Sequence, residues 1–301
     1  MCSLDRVLVF GRTGQLARCL ADSVPSGANA TFLDRAQADF SGEPDFDALL
    51  RTHSPRTVIV AAAYTAVEKA EDEREIADQV NGRNLARLGR ACQQNDVRIV
   101  HFSTDYVFDG TQAKCLTEED PVSALGAYGR SKLAGEVGLL GTGAQAHVFR
   151  TSWVFSSYGH NFLRTMLRVG QNRTEVRVVA DQFGNPSSAH DLAKTVWSAL
   201  PHLNRVPTGI YHLTGRCHTD EKVSWHQFAT TIFQLARENG LLGPVETVPI
   251  GSAEYPTKVP RPADTRLDCA KFEAAFELEM PHWSEGTRDV IERLAAETGR
   301  A

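Results

Sequence analysis

Long apolar runs, paired cysteines and an excess of one charge are all lacking in this 301-residue sequence. The longest apolar runs, such as residues 57–63, have the length of a strand, whereas a membrane-spanning helix needs about 20 apolar residues. No membrane span is therefore predicted. The six cysteines contain no Cys-x-x-Cys pair and the histidines show no ligand-like clustering, so neither zinc nor a disulfide framework is predicted.

The charge balance excludes a second group of functions. The formal net charge is −5, and lysines and arginines alternate with acidic residues along the chain. No basic surface for nucleic acid is expected from this pattern. The first six residues lead directly into a short apolar run, without the basic start and long apolar region of a secretory signal. We expect a cytoplasmic protein.

What the sequence does contain is an alternation of short β-branched runs and longer helical patterns. Strands are predicted near residues 6–10, 30–33, 57–61, 98–103 and 147–150, and helices near residues 76–91, 127–140, 161–169, 189–200, 225–238 and 283–296. This order predicts an α/β fold, a Rossmann-type doubly wound parallel sheet with a smaller, mainly C-terminal substrate-binding domain. We assign residues 1–152 to an NAD(P)-binding domain, to which residues 176–215 return, and 153–301 mainly to the substrate domain.

A glycine-rich turn follows the first predicted strand and leads into a helix. It is formed by Gly11, Arg12, Thr13, Gly14, Gln15 and Leu16, with the small Ala17 next. Such a turn lets the backbone approach a pyrophosphate at a helix N-terminus, so we predict a dinucleotide site.

The second strand ends at Asp34, about 20 residues after the glycine turn, where an acidic side chain binds the ribose of NADH. Arg12 and Arg35 favour the 2′-phosphate of NADPH instead, so the choice between NADPH and NADH stays open. The alternative for Asp34 is a turn cap beside Asp39.

A phenol and an amine lie four residues apart at Tyr128 and Lys132, on one face of a predicted helix. A cation near a phenol lowers its pKa toward the range in which it exchanges protons at neutral pH. Tyr128 is then the predicted proton donor, and Lys132 holds the nicotinamide ribose. Thr104, at the end of the fourth strand, is placed to hydrogen-bond a ketone oxygen. His101, on the same strand, is interpreted as a satisfied core residue.

These residues together resemble the extended short-chain dehydrogenase/reductase family and, within it, the dTDP-4-dehydrorhamnose reductases. The resemblance covers nearly the whole chain. The motifs that carry it lie at residues 10–15, 62–71, 103–110, 128–136, 150–155, 161–162, 181–186 and 261–262.

The resemblance implies reduction of the C4 ketone of a dTDP-linked 4-keto-6-deoxysugar by NADPH or NADH, giving dTDP-L-rhamnose. It implies Thr104, Tyr128 and Lys132 as catalytic residues. Cofactor-binding positions follow as Gly11, Arg12, Thr13, Gly14, Gln15, Leu16, Asp34, Asp39, Ala62, Ala63, Tyr64, Thr65, Tyr128 and Lys132. Substrate-binding positions follow as Val67, Thr104, Asp105, Trp153 and Arg261. A homodimer is one assembly that the sequence allows.

Some relatives bind magnesium through glutamates at a dimer interface, but Cys19 and His190 stand at the corresponding positions here. We predict no metal, since these ligands suit Mg²⁺ poorly. For Trp153, simple core packing is an equal alternative.

Three other functions stay open. A related 4-ketoreductase would give another epimer of the product, because sequence motifs define the reacting face of the ketone poorly. An epimerase or dehydratase is disfavoured, because Thr104 is followed by Asp105-Tyr106 and not by an Asp-Glu pair. A non-catalytic protein like the regulatory subunit of methionine adenosyltransferase would keep the Tyr-x-x-x-Lys segment without the chemistry.

Overall fold

The computed structural model describes residues 4, 6–218 and 221–299. Its strands are short, and most residues of those at the centre of the main sheet are buried. In chain order they are β1 (Val7–Phe10), β2 (Ala30–Leu33), β3 (Thr57–Val60), β4 (Arg98–Thr104), β5 (Ala146–Thr151), β6 (Val154–Phe155), β7 (Glu175–Val179), β8 (Phe183–Gly184), β9 (Ser187–Ser188), β10 (Gly209–His212), β11 (Val223–Ser224) and β12 (Glu246–Ile250).

Six of these strands form one parallel sheet in the order β10-β5-β4-β3-β1-β2. The chain direction across the sheet reverses at β1 and β3, which are neighbours with Phe10 opposite Val60. In open parallel sheets, ligands bind outside the carboxyl ends of the strands at such a reversal. The loops after Phe10, Val60 and Thr104 therefore meet at one edge of the sheet.

Helices cover both faces of this sheet. In chain order they are α1 (Gln15–Asp22), α2 (Phe46–His53), α3 (Val67–Ala70), α4 (Arg74–Asp78), α5 (Asn84–Gln94), α6 (Ala127–Leu140), α7 (Phe162–Gly170), α8 (Ala189–Ala199), α9 (Trp225–Glu238), α10 (Ala270–Phe276) and α11 (Trp283–Thr298). One apolar cluster packs α1, α8 and α10 on one face, and another packs α2 and α5 on the other. The two-sided burial explains why the central strands are apolar throughout.

A third apolar cluster lies apart from the main sheet. It joins α7, α9 and α11 to the small pair formed by β7 and β12. Phe155, Phe228 and Trp283 are buried within it. Between β7 and α9 in the sequence, β10 returns to the edge of the main sheet beside β5.

The predicted Rossmann-type α/β fold is confirmed, and α6 and α9 have the bounds that the sequence predicted. The domain boundary at residue 152 stays a prediction. The segment 76–91, predicted as one helix, is interrupted by a π-helical turn at Gln79–Arg83. No helix of the described residues is long and apolar enough to cross a membrane.

Candidate active site

The glycine turn forms an open cradle at the carboxyl end of β1. Gly11 has a φ of 112°, and a Cβ there would lie 3.1 Å from the backbone of Ala61 and Ala62. Only glycine combines that conformation with so close an approach. Gly14, the N-cap of α1, has no side-chain cap, and a Cβ there would contact nothing within 4 Å. The first N–H groups of α1 thus face open space, which fits a diphosphate group.

The side chain of Gln15, one of the predicted cofactor residues, is hydrogen-bonded within the protein. Its amide donates to the carbonyl oxygen of Val154 at 3.2 Å and accepts from Ser156 Oγ at 3.0 Å. Asn161 Nδ2 also donates to it, at 3.3 Å. The side chain therefore connects the glycine turn to residues 154–161, while Arg12, Thr13 and Gly14 stay exposed.

The two acidic residues after β2 are both engaged within their own loop. Asp34 Oδ1 accepts from the backbone N–H of Gln37 at 3.1 Å, which is the turn-cap role. Asp39 accepts from Ser41 N at 2.8 Å and forms an ion pair with Arg35 at 3.2 Å. The hydrogen bonds from Ser41 and the Arg35 guanidinium hold the pKa of Asp39 below its usual value.

The loop after β3 is held by Asn81, a residue that the sequence analysis missed. Asn81 accepts from Tyr64 N at 2.9 Å and donates to Tyr64 O at 3.0 Å. Its amide also donates to Ser131 Oγ on α6 at 2.9 Å. Asn81 lies in the π-helical turn, whose extra residue is typical of functional sites. One buried amide thus fixes the predicted cofactor loop, including exposed Ala63 and Thr65, against the helix of Tyr128.

Helix α6 presents Tyr128 at its first turn. Glu71 Oε1 accepts from Ala127 N at 2.6 Å and so caps the helix, and that hydrogen bond lowers the pKa of Glu71. A Cβ on Gly129 would lie 2.2 Å from the carbonyl oxygen of Tyr106, so only glycine lets α6 approach the end of β4. The ring of Tyr128 then packs edge-on against Tyr106 with centroids 5.9 Å apart.

The phenol of Tyr128 lies beside the side chain of Thr104. Burial raises the pKa of Tyr128 far above its ordinary value, the Thr104 hydroxyl opposes this, and the nearby Asp105 adds to it. The prediction of a lowered pKa is therefore wrong for this structure. The physical reason is that desolvation of the phenolate outweighs any cation, and Lys132 is not among the groups that act on this phenol.

Lys132 instead points at the backbone of β4. Its Nζ donates to the carbonyl oxygen of Phe102 at 2.5 Å and lies 3.0 Å from His101 Nε2. Burial lowers the pKa of Lys132 to about 7, against a small opposing effect of Glu136. His101 is not the satisfied core residue that was expected, because its Nδ1 has no hydrogen-bond partner among the described residues.

Asp105 lies buried directly after Thr104, and no cation of the described residues forms an ion pair with its carboxylate. Its carboxylate accepts from Thr265 Oγ1 at 2.6 Å, from Ser152 Oγ at 3.2 Å and from Thr104 Oγ1 at 3.1 Å. Burial raises the pKa of Asp105 to about 6, although these hydroxyls oppose the shift. The carboxylate therefore fixes the hydroxyl that faces Tyr128.

A cavity of about 350 Å³ adjoins this group of residues. Its wall includes Tyr106, Trp225 and Arg261. Arg261 donates to the phenol oxygen of Tyr106 at 3.1 Å and pairs with Glu68. Because Tyr106 contacts Tyr128, one end of the cavity lies beside the predicted proton donor.

Trp153 packs against Trp225, which belongs to the wall of this cavity. Its ring stacks on Trp225 with centroids 3.4 Å apart and an interplanar angle of 7°. The residue has a φ of 46°, and a Cβ on Gly184 would lie 2.5 Å from its ring. A tryptophan whose backbone is in the left-handed region is strained, and the close packing against Gly184 and Trp225 holds it there. Trp153 therefore orients Trp225, which is one of the cavity residues.

The residues 5–296 match a family model described as the RmlD substrate binding domain. The chain belongs to this family. Among its relatives is the dTDP-4-dehydrorhamnose reductase of Sinorhizobium fredii, 36% identical over 297 residues, which cover 97% of this chain and 98% of the relative. The reductase of the same name from Burkholderia thailandensis is 38% identical over 287 residues, or 92% and 95% of the two chains.

Solved structures agree with these relatives. The dTDP-4-dehydrorhamnose reductase of Bacillus anthracis, in complex with NADP, superposes with a TM-score of 0.88 at 29% identity, over 96% of this chain and 99% of that one. The predicted family and the predicted enzyme class, an oxidoreductase, are confirmed.

The structure thus brings Tyr128, Thr104 and Asp105 together, and places Lys132 one turn further along α6 against β4. Val67 begins the short helix α3, which also carries Glu68, the partner of Arg261. Glu71 lay within a motif that marked the family, although its capping role did not follow from it. Asn81 had no sequence signal, because its partners lie 17 and 50 residues away.

Proposed function

We propose that this chain reduces the C4 ketone of dTDP-4-dehydro-β-L-rhamnose with NADPH or NADH, giving dTDP-L-rhamnose. The observation that carries the proposal is the arrangement of Tyr128 beside Thr104 and Tyr106 at the carboxyl end of β4. It places an acid and a polar hydroxyl beside a cavity that an arginine borders. The relatives that bear the name of this activity are aligned over nearly the whole chain.

The raised pKa of Tyr128 suits a proton donor. A phenol that is fully protonated at neutral pH can donate to an alkoxide as negative charge develops on the ketone oxygen. The hydroxyl of Thr104 lies beside this phenol and is assigned to orient the ketone carbonyl of the substrate. Asp105 holds Thr104 in place through its Oδ1.

The cradle at Gly11 and Gly14 fits the diphosphate of a dinucleotide, whose reduced nicotinamide supplies the hydride when it is bound. We assign Arg12, Thr13 and Leu16 to the same cradle. The loop at residues 62–65 borders it, and Asp34 and Asp39 lie where the adenosine ribose is expected. Arg35 stands beside Asp39, so its guanidinium is the group that would donate hydrogen bonds to a 2′-phosphate.

Lys132 is assigned to the nicotinamide ribose. In this structure its Nζ contacts Phe102 O, so the amine must turn toward the cleft to bind the ribose. No carboxylate within the described part of the chain pairs with Lys132, so the contacts to give up in that turn are those with Phe102 O and His101 Nε2. The resulting contact positions the reduced ring against the ketone.

Arg261 is assigned to the diphosphate of the sugar nucleotide. A planar guanidinium binds phosphate oxygens in pairs, and Arg261 is only partly exposed at the cavity. Its present partner, Glu68, is the group that the diphosphate would replace. We also assign Val67, Asp105 and Trp153 to substrate binding. Trp153 would act indirectly, by orienting Trp225.

The experiment that tests this proposal supplies the enzyme with reduced cofactor and dTDP-4-dehydro-β-L-rhamnose and then identifies the sugar formed. Oxidation of the cofactor with dTDP-L-rhamnose as the product is expected. Another 4-epimer as the only product would contradict the stated product and assign the chain to a related ketoreductase. Cofactor binding without oxidation would overturn the proposed reaction and favour a regulatory binding protein.

A further inference from the structure

A cluster of two imidazoles and one carboxylate lies on the C-terminal part of the molecule, outside the candidate active site. It consists of His218, Glu221 and His282, and one ligand atom from each lies within 4.8 Å of the others. The sequence-based expectation that the histidines show no ligand-like clustering is therefore wrong. The sequence does not reveal the cluster, because His282 lies 61 residues from Glu221.

Backbone hydrogen bonds bring these residues together. Glu221 N donates to the carbonyl oxygen of His218 at 3.0 Å, which keeps these two ligands close to each other. Arg216 N donates to Pro281 O at 3.0 Å, and Arg216 O accepts from Trp283 N at 3.0 Å. The two segments are thus joined on either side of His282, so the cluster is held by main-chain contacts that do not need the side chains.

Outer contacts orient the ligand atoms as they do in metal sites. His282 Nδ1 lies 2.8 Å from Ser284 Oγ, which directs Nε2 toward Glu221 at 2.9 Å. Glu221 Oε1 accepts from Trp283 Nε1 at 2.9 Å, and Oε2 accepts from His218 N at 2.9 Å. Imidazoles and carboxylates that bind metals are oriented by second partners of this kind.

The rings of His218 and His282 stack with centroids 4.4 Å apart. His218 is exposed, whereas Glu221 and His282 are partly buried. Two nitrogen ligands and one carboxylate oxygen, with one side open to solvent, match a three-ligand site for zinc or a similar divalent transition metal. We infer that His218, Glu221 and His282 bind one such ion.

The position of the cluster gives the ion a structural consequence. Glu221 is two residues before β11, and Trp225 follows β11 at the start of α9. Trp225 stacks on Trp153 and borders the cavity. An ion at the cluster would therefore link the N-terminus of α11 to the segment that carries this indole.

Zinc binding to tag-free, metal-stripped protein tests the inference, with calorimetry or competition against a chromogenic chelator as the readout. The variants are His218→Ala and Glu221→Gln, since neither removes a backbone contact of the cluster. His160→Ala replaces another exposed histidine and serves as the control. Cys217→Ser tests the neighbouring thiol, which accepts a hydrogen bond from Asn185 at 3.4 Å.

We expect one equivalent of Zn²⁺ to bind the wild type and to raise its melting temperature, and Mg²⁺ to do neither. Affinity should fall by about 10-fold or more in His218→Ala and Glu221→Gln, as expected when a metal ligand or its orientation is lost. His160→Ala and Cys217→Ser should bind as the wild type does. Binding that survives in both cluster variants, or that is lost only in Cys217→Ser, would overturn the inference, as would no saturable binding at all.

Discussion

Two buried polar pairs on successive turns of helix α6 are built in opposite ways. At Glu136, Arg150 donates from Nε at 2.9 Å and from Nη2 at 2.7 Å, so the two charges compensate each other. At Lys132, one turn earlier, the amine faces a carbonyl oxygen and the neutral base His101, with no carboxylate. Both pairs are buried to a similar degree.

The difference separates structure from chemistry on one helix. A bidentate ion pair keeps both charges at neutral pH and ties α6 to β5. A lone buried amine pays the full desolvation cost, and burial accordingly lowers the pKa of Lys132 to about 7. Ionisable groups whose pKa is strongly shifted by burial are found mostly at functional sites. Lys132 lies one helical turn from the predicted proton donor.

Breaking the compensated pair should have the largest effect on stability. Glu136→Gln leaves the Arg150 guanidinium buried and unpaired, and removing one partner of such a pair costs about 3–5 kcal/mol of unfolding free energy. Urea denaturation measures this loss. The double variant Glu136→Leu with Arg150→Met is the control and should recover much of it. A single variant as stable as the wild type would show that the pair does not hold α6.

Removing the uncompensated amine should act in the other direction. The lowered pKa means that folded protein binds fewer protons than unfolded protein between about pH 7 and the usual lysine pKa of about 10.5, so the cost of burial is greatest at low pH and fades as pH rises. Lys132→Met should therefore gain about 3 kcal/mol at pH 7, after about 2 kcal/mol for two lost hydrogen bonds.

That gain should turn into a loss of about 2 kcal/mol above about pH 11, where wild-type Lys132 is neutral in both states and only the cost of the two lost hydrogen bonds remains. Denaturation of both proteins over this pH range measures the trend, and reductase turnover should be lost in the same variant. A variant that is less stable than the wild type at pH 7 would contradict the assignment of an uncompensated amine.

Asp105 lies between the two extremes, because hydroxyls and no cation surround it. Its pKa of about 6 is raised, so folded protein binds more protons than unfolded protein between about pH 4 and about pH 6. The wild type should therefore lose about 3 kcal/mol relative to Asp105→Asn as pH rises through this window. Denaturation of both proteins at the two ends measures the change, and a pH-independent difference would show that the carboxyl is not desolvated.

The smallest effect is expected at His101. Replacing His101 with Phe removes one contact to Lys132, worth about 1 kcal/mol, but it also removes a buried Nδ1 without a partner in the described part of the chain. The two effects oppose each other, so the melting temperature should change little and turnover should persist. A large loss of stability would mean that the Lys132 pair is structural after all.

The sequence predicted the parts of this site that depend on local spacing. Tyr128 and Lys132 share a face of α6 because they are four residues apart, and the glycine turn follows from its place after β1. The partners of Lys132 did not follow, because His101 and Phe102 meet it from a strand 30 or more residues away.

The raised pKa of Tyr128 could not be predicted from the sequence either. Its direction depends on how much protein surrounds the phenol and on which way the Lys132 amine turns, and both are set by tertiary packing. Asn81 likewise acquires its role only when the π-helical turn packs against α6.

The most direct test of the account compares turnover and cofactor affinity in the wild type and in Tyr128→Phe. The account predicts that the reaction step slows by about 10²- to 10⁴-fold, which is the usual contribution of a positioned acid, while the cofactor dissociation constant stays within about twofold. The Thr104 hydroxyl and the glycine cradle remain intact in this variant. Turnover close to that of the wild type would contradict Tyr128 as the proton donor.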